Sequence, residues 1–231
     1  MNKKISVRML VEIAIFAALA VALDMLEGGI FRGIFINGGS IGIAMVPVFI
    51  IAYRRGLLAG ILTGLIVSLL QMLGGIYVIS GATYEGAMKF LAPFFQVMLD
   101  YVLGFTLVGV AGAFAHNYHN ATTSKNKILW IIVGTVVGGL LKYTSHVLAG
   151  GLFWLDPTGD PFLGVSNGSW WFSFVYNGAA CIPSIILSTA VIILIYKIHP
   201  QFLEVSEKED DAENAFSNDL VTESKEDKNE F

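Results

Sequence analysis

The 231-residue chain has one cysteine, Cys181, which excludes an intrachain disulfide and any cysteine-based metal cluster. Charge is scarce too, at 14% of residues, and no basic stripe runs along the chain to neutralise phosphates, so nucleic-acid binding is excluded. No lysine follows a glycine, so the phosphate-cradling loop of nucleotide hydrolases is absent. Nucleophile-elbow and zinc-protease motifs are missing as well. Bis-histidine haem ligation within a membrane needs two buried histidines, and only His146 qualifies; His116, His119 and His199 fall in an inner loop or at the inner boundary, where His116 and His119 read as solvated. No residue pattern proposes an enzyme, a cofactor or a metal.

What the chain has instead is apolar length. Hydrophobic residues make up 55% of it and mean hydropathy is +0.69, beyond the ~45–50% of soluble domains. The charge is unevenly divided. Residues 1–200 hold 11 basic and 7 acidic side chains, a balance of +4, whereas residues 201–231 hold 3 and 11, a balance of -8. The pattern predicts a transmembrane body over 1–200 and an acidic tail over 201–231 with too little apolar surface to order itself. The tail reads as a solubilising extension or a regulatory docking segment.

A helix needs ~20 apolar residues to cross a hydrocarbon core. Six segments approach that length: Met9 to Leu26, Ser40 to Tyr53, Leu57 to Leu73, Pro93 to Ala115, Ile128 to Gly150 and Ser173 to Tyr196. The expected fold is an all-α bundle of six transmembrane helices. With both termini cytoplasmic, Lys3, Lys4, Arg8, Arg54, Arg55, Lys125, Lys127 and Lys197 fall inside and only Arg32 and Lys89 outside, as the positive-inside rule requires. A cleaved signal peptide is the competing reading of the amino terminus; it leaves five spans and inverts the charge bias. The outward connections are longer and richer in glycine and aromatics than the inner turns, which points function outward.

Helices in lipid associate through small residues. Ala14, Ala18 and Ala22 form one such stripe and Gly56, Gly60 and Gly64 another; each serves either internal packing or docking of another membrane protein. Ionisable groups within the membrane mark a site or a compensating pair. Counting from the expected helix ends, Asp100 lies about 10 Å deep, His146 about 6 Å and Lys142 about 12 Å. Lys142 and His146 share a helical face at i and i+4, as do Gln96 and Asp100. Either these faces meet in a polar pocket or Asp100 and Lys142 form a structural ion pair. Trp154, Trp170, Trp171, Phe172 and Tyr176 crowd the last outward loop, as an interfacial belt or as rings for a flat cationic ligand. Asn177 adds a polar group just inside the sixth span.

These residues resemble a known family, the thiamine-binding substrate subunits (S-components) of energy-coupling factor transporters. The likeness covers about residues 7–198. It is carried by VRMLVEIAIFAALAVAL, VPVFIIAYRRGLLAGILTGLI, FQVMLDYVLGFTLVGVAG and above all LLKYTSHVLAGGLFW, which joins Lys142, His146 and Trp154. The resemblance implies a multi-pass cell-membrane protein that binds thiamine from outside and works with a transmembrane coupling subunit and two ATPase subunits, docking through Ala14, Ala18 and Ala22. It implies ligand contacts by Tyr77, Asp100, Tyr101, Lys142, His146, Trp154 and Asn177, with Phe172 where the family carries a tyrosine. Asp100 stands where the family often has glutamate. Gly38 and Gly42 replace a tryptophan and a glutamate of the first outward loop, and Glu85, in a longer second loop, is the expected substitute carboxylate. The other readings are an S-component for a related vitamin or thiamine precursor, and a self-sufficient proton-coupled transporter using Asp100; the absence of evident inverted repeats disfavours the last.

Overall fold

The structure, a computed structural model, describes residues 6–31, 34–35 and 39–205. Lys3, Lys4, Arg32, Gly38 and the acidic tail beyond Val205 lie outside the described residues. Those residues form six helical rods: α1 (Val7–Phe31), α2 (Val46–Arg55), α3 (Leu57–Leu73), α4 (Met88–Asn120), α5 (Ser124–Phe153) and α6 (Trp170–Ile198). Among the described residues no β-strand is present beyond one isolated bridge, Phe162 to Val165.

The six expected spans are thus six helices, of which α1, α4, α5 and α6 are long and apolar enough to cross a membrane. α3 has 17 residues and α2 only 10, and ten residues rise about 15 Å against a core of about 30 Å. α2 can be short because it is not a lipid-facing element. Val46 through Tyr53 are all buried, the signature of a helix enclosed by protein. Its neighbours are α1, α3, α4 and α6. Gly56, at φ +88°, ends α2 and starts α3, a left-handed conformation that suits glycine. Exposed leucines, isoleucines and phenylalanines give the outer helices a broad apolar surface, of the kind that marks a membrane-facing protein.

The two small-residue stripes have different fates. A Cβ added at Gly60 would lie 2.5 Å from the Gly109 carbonyl oxygen, and one at Gly64 2.2 Å from that of Phe105. The glycine stripe is therefore internal packing, bringing α3 and α4 into backbone contact. α1 buries Met9, Ile13, Ala17 and Ala20, while Ala14, Ala18 and Ala22 are exposed.

Polar groups collect at both ends of the bundle. At one end Glu12 meets Arg8 at 3.5 Å, Arg54 at 3.2 Å and Arg55 at 2.7 Å, and Lys127 meets Glu204 at 2.7 Å. Burial raises the Glu204 carboxyl, but the hydrogen bond and charge of Lys127 hold it below its ordinary value. The packed body continues past Pro200: Leu203 is buried in the core, and the Arg54 guanidinium donates to the Gln201 carbonyl at 2.7 Å. His116 and His119 belong to the last helical turn of α4 rather than to a loop, and a His119 ring nitrogen sits 2.8 Å from the Tyr53 carbonyl oxygen. At the opposite end the connections α1–α2, α3–α4 and α5–α6 come together. Phe35 packs on Phe162 and Tyr176, and Tyr77 on Trp154.

Candidate functional site

The site begins with a flaw in a helix. α4 is regular over Met88–Val97, widens into a π-helical turn at Met98–Val102 and resumes at Leu103. Such turns shift side chains out of register and recur at functional positions. Here the turn carries Asp100 and Tyr101. It is held from outside by Ser145 of α5, whose hydroxyl donates to the Leu99 carbonyl at 2.6 Å.

Asp100 is the hub. Its Oδ2 accepts from Gln96 Nε2 at 2.9 Å and from the Trp154 indole Nε1 at 2.5 Å, while Oδ1 faces His146 Nδ1 at 3.8 Å. The two side chains are 17% and 23% exposed, dry enough to strengthen a charge-assisted bond yet open to a ligand. Buried Gln96 also donates to the Tyr77 carbonyl at 3.2 Å and accepts from the Ile79 amide at 3.4 Å. The Tyr101 hydroxyl accepts from the Tyr77 amide at 2.9 Å. These bonds clasp the extended segment 77–79 across the site, with the exposed Tyr77 ring 5.4 Å from that of Trp154. Five expected residues, Tyr77, Asp100, Tyr101, His146 and Trp154, are thus brought together, and Gln96 binds them.

The other three lie around this hub. Lys142 sits one turn further along the His146 face of α5, its Nζ 3.6 Å from the centre of the Phe105 ring. Among the described residues no carboxylate lies within 4.0 Å of it, so the Asp100–Lys142 ion pair is not formed. Instead Lys142 lines a cavity with Asp24, Glu27, Ser40, Phe105, Cys181 and Ser184. Asn177 uses its amide Nδ2 as a buttress, donating to the His146 carbonyl at 3.3 Å and the Ser173 carbonyl at 2.9 Å. Phe172 is buried and stacks on Tyr176 at 5.5 Å, beside Phe35 and Phe162. It belongs to an aromatic plug that seals α6 against the α1–α2 and α5–α6 connections. Trp170 packs its ring on Gly151, pinning the start of α6 to the end of α5.

Depth differs from expectation. α4 begins at Met88 and α5 ends at Phe153, so Asp100 lies about 18 Å, His146 about 10 Å and Lys142 about 16 Å from those helix ends. Sequence reasoning missed Asp24 and Glu27 as residues of this cavity, because ending the first helix at Leu26 put Asp24 in its last turn and Glu27 outside it. The available signal was their i, i+3 spacing, which places both on one face once the helix runs on to Phe31. The carboxylate that reaches Gly42 is that of Glu27, whose Oε1 accepts from the Ile43 amide at 2.5 Å; Glu85 is exposed in the turn before α4.

Residues 10–204 match the thiamine transporter protein family (Thia_YuaJ). The chain is 32% identical over 209 residues to the thiamine transporter ThiT of Bacillus subtilis (strain 168), covering 88% of this chain and 98% of that protein. It is 25% identical over 199 residues to ThiT of Lacticaseibacillus paracasei, covering 83% and 88% respectively. The solved structure of ThiT from Listeria monocytogenes superposes with a TM-score of 0.63 at 30% identity, covering 85% of this chain and 97% of the other.

Proposed function

The chain belongs to the thiamine transporter protein family, a family of membrane transporters rather than enzymes, and from that premise we propose that it is the thiamine-binding subunit of an ATP-driven energy-coupling factor transporter. The observation that carries the reading is the Asp100 hub: a carboxyl acceptor flanked by an imidazole and the Tyr77 and Trp154 rings, with Lys142 one helical turn beyond. Thiamine presents a matching sequence of groups. Its aminopyrimidine edge donates to the Asp100 carboxylate. Its rings stack on Trp154 and Tyr77, where a cation over an aromatic face gains about 0.5–2 kcal/mol. Its hydroxyethyl end, or a phosphate on it, reaches toward Lys142. The Tyr77 and Trp154 rings lie 5.4 Å apart, tilted by 56°, and admitting a ligand ring between them requires segment 77–79 to shift.

The chain lacks a phosphate loop, and in this reading separate subunits hydrolyse the ATP. The exposed Ala14, Ala18 and Ala22 face of α1, the least buried of the four long helices, is where a coupling subunit docks. Both termini are cytoplasmic in this reading, consistent with the basic residues Arg8, Arg54, Arg55 and Lys127 gathering at one end of the bundle.

Titration calorimetry with thiamine on the detergent-solubilised protein tests the proposal. Asp100→Ala and Trp154→Ala should each weaken binding at least about tenfold, the equivalent of ~1.4 kcal/mol, while the protein still inserts. Wild-type affinity in both variants rejects the pocket. Thiamine uptake by liposomes containing this chain alone, driven by a proton gradient, rejects the subunit role in favour of a self-sufficient transporter using Asp100.

A further inference from the structure

The cavity that holds Lys142 poses a problem for a cationic ligand. A lone ammonium in a poorly screened pocket repels a second positive charge. Lys142 makes no hydrogen bond or ion pair among the described residues and rests over the Phe105 ring. The cavity adjoins the Asp100 hub, because His146 lies on the same face of α5 and its ring covers Gly104, the neighbour of Phe105. Two carboxylates from α1, Asp24 and Glu27, line the same cavity as Lys142.

Glu27 is placed with care. Its Oε1 accepts from the Ile43 amide at 2.5 Å. Gly42 is buried and leaves room for it: an added Cβ would stand 1.8 Å from the Glu27 carboxyl carbon. The Gly42 amide in turn donates to the Ser184 hydroxyl of α6 at 3.1 Å. The connection from α1 to α2 is therefore fitted around this carboxylate, which is fixed within the cavity wall instead of being free to turn to water.

We infer that Glu27, supported by Asp24, sets the sign of the field beside the Asp100 hub, offsetting Lys142 so that the site accepts a cationic ring. The inference rests on the thiamine reading above and deepens it: Glu27 is a positioning residue whose contribution depends on the ligand's charge. A residue that only ties down the turn at 42–44 acts equally on charged and neutral ligands.

The test compares thiamine with a neutral isostere in which an uncharged aromatic ring replaces the thiazolium, by calorimetry on the full-length protein. Glu27→Gln keeps an acceptor oxygen for Ile43 and removes the charge. It should raise the Kd for thiamine about tenfold or more and that for the isostere by less than about threefold. Gly42→Ala, which keeps Glu27 but drives its carboxylate aside, should reproduce the same selective loss. Equal losses for both ligands, or none in either variant, overturn the inference while leaving thiamine binding by the wild type intact. Failure of the wild type to bind thiamine at all overturns the functional reading itself, and this inference with it.

Discussion

At the scale of single residues, the membrane makes chemistry conspicuous. Asp100, Lys142 and His146 stand out because an ionisable group is costly in hydrocarbon, and Asp100 and His146 do meet, at 3.8 Å. What the side chains touch was less legible. Trp154 is placed by its N–H as well as its ring, donating to Asp100, and Phe172 seals an aromatic plug with Tyr176. The Asp100 charge can be separated from its shape. Asp100→Asn retains an oxygen for the Gln96 and Trp154 donors, so thermal stability should change little. Thiamine affinity should fall about ten- to hundredfold, since a hydrogen bond to a charged group is worth about 1.5–3 kcal/mol. Calorimetry paired with thermal unfolding checks the two outcomes together.

At the scale of helices, spacing alone left the alanine and glycine stripes equivalent. Packing separates them. Gly64 presses on the Phe105 carbonyl of α4, immediately below the turn that carries Asp100. Gly64→Leu should therefore destabilise the fold by about 1–3 kcal/mol through overpacking and weaken binding by displacing α4; unchanged unfolding would contradict that contact. Ala14→Leu with Ala18→Leu alters only an exposed face. Binding should be preserved while uptake by cells falls. Lost binding with normal uptake complex assembly would return the stripe to internal packing. The π-helical turn at Met98–Val102 had no signature in the hydrophobic pattern, because a one-residue widening barely disturbs the periodicity of an almost wholly apolar helix.

Across the whole molecule, the two polar ends do different work. The Glu12 network joins α1 to the α2–α3 turn at Arg54 and Arg55, far along the helices from Asp100. Glu12→Gln should thus cost about 1–3 kcal/mol of stability with thiamine affinity unchanged, measured by thermal unfolding and calorimetry. A drop in affinity would show that the two ends are coupled. The same division explains how α2 remains short: with lipid excluded by the surrounding helices, the length required of a membrane span no longer applies to it.

The sequence by itself determined the membrane class, the six helices and the family, because apolar length, small-residue spacing and rare intramembrane charges are local properties of the chain. Spacing at i, i+4 paired Gln96 with Asp100 and picked out the His146 face, while Tyr77, Tyr101 and Trp154 were named as contacts by the family resemblance. Only the tertiary structure decided that Lys142 shares a cavity with Glu27 and Asp24 instead of pairing with Asp100. It also decided that Gly60 and Gly64 of the glycine stripe are buried, and that Gly42 makes room for a carboxylate fifteen positions earlier in the chain. Those outcomes depend on which faces meet across different helices, and on the shift introduced by the π-helical turn, neither of which the periodicity of one helix encodes.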